Sequence, residues 1–434
     1  MPLSPQYRWL ETHAQADRGL LQCCLPSEFL RQAAQLATGP KIGVAVSGGG
    51  DSIALLHLIA RAAPHFGLTA EAATINHHLR PEAAEEAAFV ADVASGLGLA
   101  HQTLNWNAHP ETGNLMQAAG QARLDLLATW AKARGIATVF LGHTADDQAE
   151  TFLMGLSRAS GIDGLTGMRP SFEHAGVQFW RPLLQTGRAS LRDFLTRHSL
   201  PWCEDPSNQD DRYTRVRIRK ALPDLAALGI TLSALRETIS NLTDVQDMLR
   251  HSLAEGFARF GTEEAGSLNL ARADFAASPA ELQRRLFVSA ARWISGNRHP
   301  PRAETVSQSL TEALRGRGST FGGCLIRVTA QNIRIFREPQ AAQARQAWQP
   351  GMIWDHRWKI SGPARPGLEV RALTAAGLAQ VRDWRDSGLR RDAVIVSPGL
   401  WQGERLIAAP LLPQFAHEWC ADLYPSFGSF ILSH

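Results

Sequence analysis

The sequence is poor in cysteine. Its 434 residues include only Cys23, Cys24, Cys203, Cys324 and Cys420, scattered and without a CxxC pair. That suggests neither a disulfide framework nor a thiolate zinc or iron–sulfur site. It fits a reducing compartment. No apolar run approaches membrane-spanning length, so no membrane association is expected. The opening MPLSPQYRWLETHAQADRG lacks a basic start followed by an apolar stretch. No signal peptide is expected, and a cytoplasmic location is. The net charge is only +3, which rules out a broad cationic field. Any contact with nucleic acid has to come from local patches. There is no internal repeat and no low-complexity tract. What remains is the composition of an ordinary soluble protein, long enough for two or three domains with real cores.

From Lys41 to about Leu200, β-rich runs alternate with helical patterns. The strands are KIGVAVS, TAEAATIN, AHQTLNW, ATVFLGH and VQFWRPLL. The segments between them carry apolar residues three or four apart, as at Ile53, Leu56 and Ile59. This alternation predicts an α/β domain with a parallel, doubly wound sheet covered on both faces. Ligands on such sheets collect at the carboxyl ends of the strands. SGGGDS, NHHLR and GHTADDQAE each follow a predicted strand. Residues 231–315 read as helices, GSTFGGCLIRVTAQNIRIFRE as a hairpin and PQAAQARQAWQPG as a linker. The last ninety or so residues mix short β runs with Gly/Pro turns. Three units are expected: a catalytic domain over 1–225, a mostly helical middle domain over 226–340, and a small α+β domain over 350–434.

The most informative stretch is SGGGDS, residues 47–52. Gly48, Gly49 and Gly50 open conformations closed to other residues and bring N–H groups close to an anion. A helix beginning near Asp51 adds its N-terminal partial charge, and Ser47 and Ser52 can donate hydroxyl bonds. The plainer reading is a strand-to-helix turn capped by Ser or Asp. Three consecutive glycines cost backbone entropy that a mere turn does not require, which favours phosphate binding. Neither G-x-x-x-x-G-K-[ST] nor G-x-G-x-x-G fits. The pattern S-G-G-x-D-S resembles the PP-loop of the N-type ATP pyrophosphatases, an adenine nucleotide alpha-hydrolase-like fold. The resemblance implies ATP bound through Ser47, Gly48, Gly49, Gly50, Asp51 and Ser52, with the β,γ-pyrophosphate as leaving group. Asp51 would help place Mg2+, which neutralises the departing charge without a lysine.

Further segments narrow the resemblance. INHHLRPEAAEEAAFVADVASGLGL, NLMQAAGQARLDLLATWAKARG, FLGHTADDQAETFLMGLSRASGIDGLTGM and RPLLQTGRASLRDFLTRHSLPWCEDPSNQDDRYTRVRIR follow in this order. Together they look like the tRNA(Ile)-lysidine synthetase family, and the likeness continues through STFGGCLIRV to VSPGLWQGERLIAAP. Within that family ATP adenylates the C2 oxygen of the wobble cytidine of an isoleucine tRNA with a CAU anticodon. The amine of free L-lysine then attacks C2 and expels AMP. Two departures stand out. Asn76 precedes His77 where the family usually has Asp–His, and Val216 occupies a place in the arginine-rich run where Asn is common.

In GHTADDQAE, Asp146, Asp147 and Glu150 fall on one helix face. The plainer reading is a capping box from Thr144 to Asp147. Carboxylates gathered beside a phosphate loop can also hold Mg2+, with Asp51 and Asp147 as its ligands, orient a lysine ammonium, or take its proton. Asp51, Asp147 and Glu150 are the catalytic candidates, and the pattern leaves their separate jobs open. HExxH is absent, which argues against a zinc hydrolase. Arg80 could contact a phosphate or the lysine-site carboxylates, Asp146 is a substrate candidate through the acidic cluster, and the resemblance raises Arg123 and Arg158 as further substrate candidates. Arg215, Arg217 and Arg219, with Lys220, suit tRNA phosphates or ATP, although a solvated helix is as plain a reading and helix against strand stays open. The Arg315–Arg317 loop and Trp354, Trp358, Trp401 and Trp419 are secondary tRNA candidates, with more of the tryptophans expected in cores. The alternative is a PP-loop tRNA-modifying enzyme of the cytidine thiolase type, which would want the missing cysteine pair. A non-catalytic RNA binder would not need the acidic cluster. The oligomeric state stays open, a homodimer included.

Overall fold

The computed structural model describes residues 31, 35 and 40–433, except 79–81, 108–114, 205–209, 298 and 343. The chain divides into two compact units, Met1–Asp244 and Val245–His434.

The first unit is built on six strands: β1 (Lys41–Ala45), β2 (Thr69–Asn76), β3 (Ala100–Asn105), β4 (Thr138–Leu141), β5 (Ser171–His174) and β6 (Val177–Trp180). Their order is β3-β2-β1-β4-β6-β5. Every neighbouring pair is parallel except β5 with β6. This is the doubly wound α/β sheet expected, with one addition. The expected strand VQFWRPLL is the second arm of a hairpin, turned at Ala175–Gly176 with φ of 49° and 75°. Ala-Gly lacks the Asn-Gly signature that announces a two-residue turn, so the sequence hides it.

Both faces of the sheet are covered, which is why β1 reads as an almost continuous apolar run. Alternation along it divides two cores. Ile42 and Val44 pack with Leu55 and Ile59 of α1 (Gly50–Ala62), Val90 of α2 (Ala83–Gly96) and Phe194 of α5, a helix over Arg188–Arg197. Ala45 enters the other core with Leu127 and Trp130 of α3 (Leu115–Ala133). The helices α4 (Ala145–Leu156) and α6 (Thr214–Ala227) complete the frame. Phe152 of α4 packs with Leu235 and Ile239 from the start of α7 (Leu232–Phe260). Strand order turns back between β1 and β4, so a crevice opens at their carboxyl ends. There the chain backbones nearly touch. A Cβ on Gly142, just after β4, would lie 3.0 Å from Ser52 Cα and 3.2 Å from Ser52 N.

In the second unit, a five-stranded antiparallel sheet has the order β7-β8-β11-β10-β9. Its strands are β7 (Gly261–Glu264), β8 (Ser267–Ala271), β9 (Ser319–Phe321), β10 (Cys324–Val328) and β11 (Asn332–Arg337). The helices α8 (Arg272–Ala277), α9 (Ala280–Ser295) and α10 (Ala303–Leu314) accompany it. The hairpin β7–β8 lies inside the stretch read as helical. It turns at Ala265–Gly266, again Ala-Gly with both φ positive, at 47° and 73°. Leu268 and Leu270 alternate into the core. The remaining strands form a four-stranded sheet, β12-β15-β16-β17, and a three-stranded sheet, β13-β14-β18. These are β12 (Gln346–Ala347), β13 (Ile353–Trp354), β14 (Trp358–Ser361), β15 (Glu369–Ala372), β16 (Pro398–Gln402), β17 (Arg405–Ala408) and β18 (Cys420–Leu423). The segment read as a linker joins this core through Ala342 and Trp348. Trp354, Trp358, Trp401 and Trp419 are all fully buried, hence core rather than stacking platforms. Among the described residues no helix is long and apolar enough to cross a membrane.

Candidate active site

The turn after β1 is a closed loop. The Ser47 N–H donates to Ser52 Oγ at 3.1 Å, the two hydroxyls lie 3.2 Å apart, and Ser52 Oγ donates to the Gly49 carbonyl at 2.9 Å. Gly48 has φ of +87°, a conformation that excludes most side chains. Its carbonyl accepts the Cys203 N–H at 2.9 Å, so the segment after α5 runs along the loop. Gly49 caps α1 in extended conformation, leaving the helix's N-terminal end at the crevice. Asp51 sits in that first turn. Burial pushes its carboxyl above the ordinary range and Asp147 and Asp146 add to this, while Arg188 opposes them.

Across the crevice, the turn after β4 starts α4 with the capping box read from sequence. Asp147 Oδ2 accepts the Thr144 N–H at 2.8 Å and the Thr144 hydroxyl at 3.1 Å. Burial works against the Asp147 charge. Arg188 and the Thr144 N–H outweigh it and hold the carboxyl below its ordinary value. Capping and site-building are thus the same geometry, because the cap that starts the helix also fixes the carboxylate. One turn on, Glu150 is 0% exposed. Asp146 faces α5, where its Oδ2 accepts the Arg188 N–H at 2.7 Å.

Arg188 lies at the centre of this group. Its Nε donates to Asp51 Oδ2 at 3.0 Å, its Nη2 to Asp147 Oδ1 at 3.3 Å and its Nη1 to Glu150 Oε1 at 3.5 Å. Burial opposes the guanidinium charge, but the carboxylates of Asp51, Asp147 and Glu150 hold its pKa above the ordinary value. Two arginines of α6 complete the set. Arg219 Nε meets Glu150 Oε1 at 2.7 Å, and Arg215 Nε lies 2.9 Å from Glu150 Oε2. Residues 215 and 219 are one helical turn apart and so share a face. Arg217, between them, is exposed and donates to the carbonyls of Asp211 and Arg212 and to the Thr214 hydroxyl.

A cationic flank adjoins the carboxylates. Arg181 donates from Nε to His143 Nδ1 at 3.2 Å and from Nη1 to the Arg169 carbonyl at 2.7 Å, with its guanidinium over the Phe172 ring. Because Nδ1 accepts, the ring proton of His143 resides on Nε2. Burial, reinforced by Arg123 and Arg181, presses the His143 pKa down to about 3. Burial and Arg123 lower Arg181 to about 10, and burial lowers Arg123 against the pull of Asp147.

The structure therefore brings together Asp51, Asp146, Asp147, Glu150, Arg215 and Arg219, with Arg123 close enough to act on Asp147 and His143. Arg158 is exposed and donates to the Met154 carbonyl, away from this group. Arg80 lies outside the described residues, as does all of EDPSN except Glu204. Glu204 accepts from the Trp202 indole and from Arg192. Asn76 is buried, and its Oδ1 accepts the His78 N–H at 2.9 Å, a loop-closing bond that an aspartate would make equally. Val216 is buried on the inner side of α6. Arg315 and Arg317 pair with Glu312 at the surface. Arg181 and Arg188 were missed, yet both follow β6, so the carboxyl-end rule used for β1 and β4 points to them as well.

The donors facing Arg188 are carboxylate oxygens, the hard ligands that Mg2+ takes. Among the described residues no three His, Cys, Asp or Glu side chains are grouped to hold a metal alone. Two carboxylates fit the mode in which Mg2+ completes its shell from substrate phosphates and water.

A glycine loop opening onto a helix N-terminus at the sheet's switch point, with aspartates opposite, defines a PP-loop domain, and residues 25–225 match that family. The likeness to relatives extends further. A tRNA(Ile)-lysidine synthase from Ruegeria pomeroyi is 42% identical over 92% of this chain and 96% of that protein. Another, from Rhodopseudomonas palustris, is 37% identical over 72% of this chain and 95% of that one. This chain belongs to the tRNA(Ile)-lysidine synthase family. Among solved structures, a U34-tRNA thiolase from Methanococcus maripaludis aligns with a TM-score of 0.42 at 14% identity, covering 50% of this chain and 78% of that one.

Proposed function

We propose that this protein is an ATP-dependent carbon–nitrogen ligase that joins free L-lysine to C2 of the wobble cytidine of a CAU-anticodon isoleucine tRNA. The C2 oxygen attacks the α-phosphorus of ATP, the bond to pyrophosphate breaks, and the base carries AMP on that oxygen. The lysine amine then bonds to C2, the C2–oxygen bond breaks, AMP leaves with the oxygen, and the nitrogen loses a proton. A carbonyl oxygen is a poor leaving group; adenylation makes it a good one.

The observation that carries this reading is the 42% identity over nearly the whole of a tRNA(Ile)-lysidine synthase. The geometry supports it. Ser47, Gly48, Gly49, Gly50 and Ser52 offer N–H and hydroxyl donors to the β,γ-phosphates beside the N-terminus of α1. Asp51 and Asp147 would hold Mg2+, which supplies neutralisation of the departing pyrophosphate. Asp147, kept ionised, is also suited to receive the lysine ammonium. Asp146 holds the start of α5 in place through the Arg188 N–H. Glu150, sealed among three guanidiniums, acts by setting Arg215 and Arg219 towards the substrate side. Arg80, Arg123, Arg158 and Arg217, with residues 226–340 and 350–434, are assigned to tRNA and substrate contact.

The test supplies ATP, Mg2+, labelled lysine and either CAU-anticodon isoleucine tRNA or methionine tRNA. Lysine is expected in the isoleucine tRNA alone. Incorporation into neither, or equally into both, refutes the assignment.

A further inference from the structure

Arg188 gives the proposed metal site a resident cation. Its guanidinium reaches two separately built carboxylates, Asp51 on the first turn of α1 and Asp147 on the first turn of α4, at 3.0 and 3.3 Å. These are the two residues whose oxygens fit Mg2+. The arginine is not a surface side chain folded in by chance. It is 17% exposed, a third partner, Glu150, lies at 3.5 Å, and its own N–H is held by Asp146 at 2.7 Å. The main chain is therefore fixed, and only the long side chain is free to move. A positive charge between two carboxylates disfavours a divalent cation at the same place. A polyphosphate in the loop offers a guanidinium a stronger, bidentate alternative to a carboxylate.

We propose that Arg188 is the positioning residue that makes metal binding wait for the nucleotide: it neutralises Asp51 and Asp147 in the free protein and passes to the polyphosphate when ATP enters, leaving the two carboxylates to Mg2+. This rests on ATP occupying the glycine loop. It goes beyond that reading in giving the site an order of assembly, nucleotide with or before metal, set by one side chain. The same exchange discriminates against a divalent ion entering alone. The backbone anchor on Asp146 limits the movement to rotation about side-chain bonds, so α5 stays where it is.

The full-length protein is titrated with Mn2+, followed by electron paramagnetic resonance, with and without a non-hydrolysable ATP analogue. The wild type is expected to bind Mn2+ at least tenfold more tightly with the analogue than without it. Arg188→Gln is expected to bind Mn2+ alone about tenfold more tightly than the wild type does. Arg188→Lys, which keeps the charge, stays weak without nucleotide. Wild-type affinity that is the same with and without the analogue overturns the proposal whether or not the variants fold. So does equal affinity of Arg188→Gln and the wild type in the absence of nucleotide. Lysine titrated in place of Mn2+ checks the occupant. If Arg188→Gln tightens lysine but leaves Mn2+ unchanged, the metal assignment fails. Analogue binding is read separately by calorimetry. Its absence refutes ATP binding at the loop, whereas analogue binding with Arg188-independent Mn2+ affinity refutes only the role of Arg188.

Discussion

Two histidines in the first unit, one buried and one half-buried, make its stability sensitive to mild acid. His143 beside the site and His57 on α1 both have pKa values pressed down to about 3, in each case chiefly by burial. In the unfolded chain each ring titrates near its ordinary value of about 6.5. Below that value the unfolded state takes up protons that the folded state refuses. Their stabilising effect is therefore complete above about pH 6.5 and is lost as pH falls towards 3. Integrated from about pH 7 to about pH 5.5, the loss is roughly 1.2 kcal/mol for each ring. His101, also lowered by burial, acts in the same direction, and the raised Asp51 carboxyl acts against it. The check is urea unfolding followed by hydrogen exchange at amides of β1 and β4, which reads the first unit alone. His143→Gln should lose about 1.2 kcal/mol less than the wild type across the window. Ring nitrogen shifts should show His143 as the neutral Nε2–H form down to about pH 4.5. A His143 ring that titrates near pH 6.5, or a pH dependence unchanged in His143→Gln, refutes the reasoning.

Three further outcomes are expected. Glu150→Gln removes the one carboxylate shared by Arg188, Arg215 and Arg219. Breaking a buried pair costs about 3–5 kcal/mol, and the partial exposure of the arginines puts this one near 3; a loss under about 1 kcal/mol in the same unfolding assay contradicts it. Gly142→Ala places a methyl 3.0 Å from the Ser52 backbone, where neither chain can give way cheaply. It should destabilise by about 1–3 kcal/mol and weaken ATP binding, seen by calorimetry, and unaltered ATP affinity would contradict a loop held from behind by this turn. Arg217→Ala, on the outer face of α6, should weaken tRNA in filter binding by less than tenfold and leave ATP affinity unchanged, whereas Arg219→Ala should impair both; the opposite ranking would exchange their assignments.

Much of this protein was determined locally. SGGGDS and GHTADDQAE declare themselves because each is contiguous, each follows a strand, and its capping and turn chemistry needs only neighbouring residues. The Thr144–Asp147 box spans only four residues, so its geometry follows from the helix it starts. The parallel sheet follows from regular alternation of periods, and the switch point from the rule for where ligands meet such sheets. The two Ala-Gly hairpins escaped because their positive-φ alanines carry no local signal. What only the tertiary structure decided is which charge meets which. Arg188 lies 137 positions from Asp51, and Arg219 lies 69 from Glu150. Whether RYTRVRIRK is helix or strand, and that it turns Arg215 and Arg219 inward while Arg217 faces out, depends on α6 packing beside α4. Ion pairs are long-range choices of the folded chain: a residue's charge is written in the sequence, but its partner is set by the fold that brings distant segments within a few ångströms.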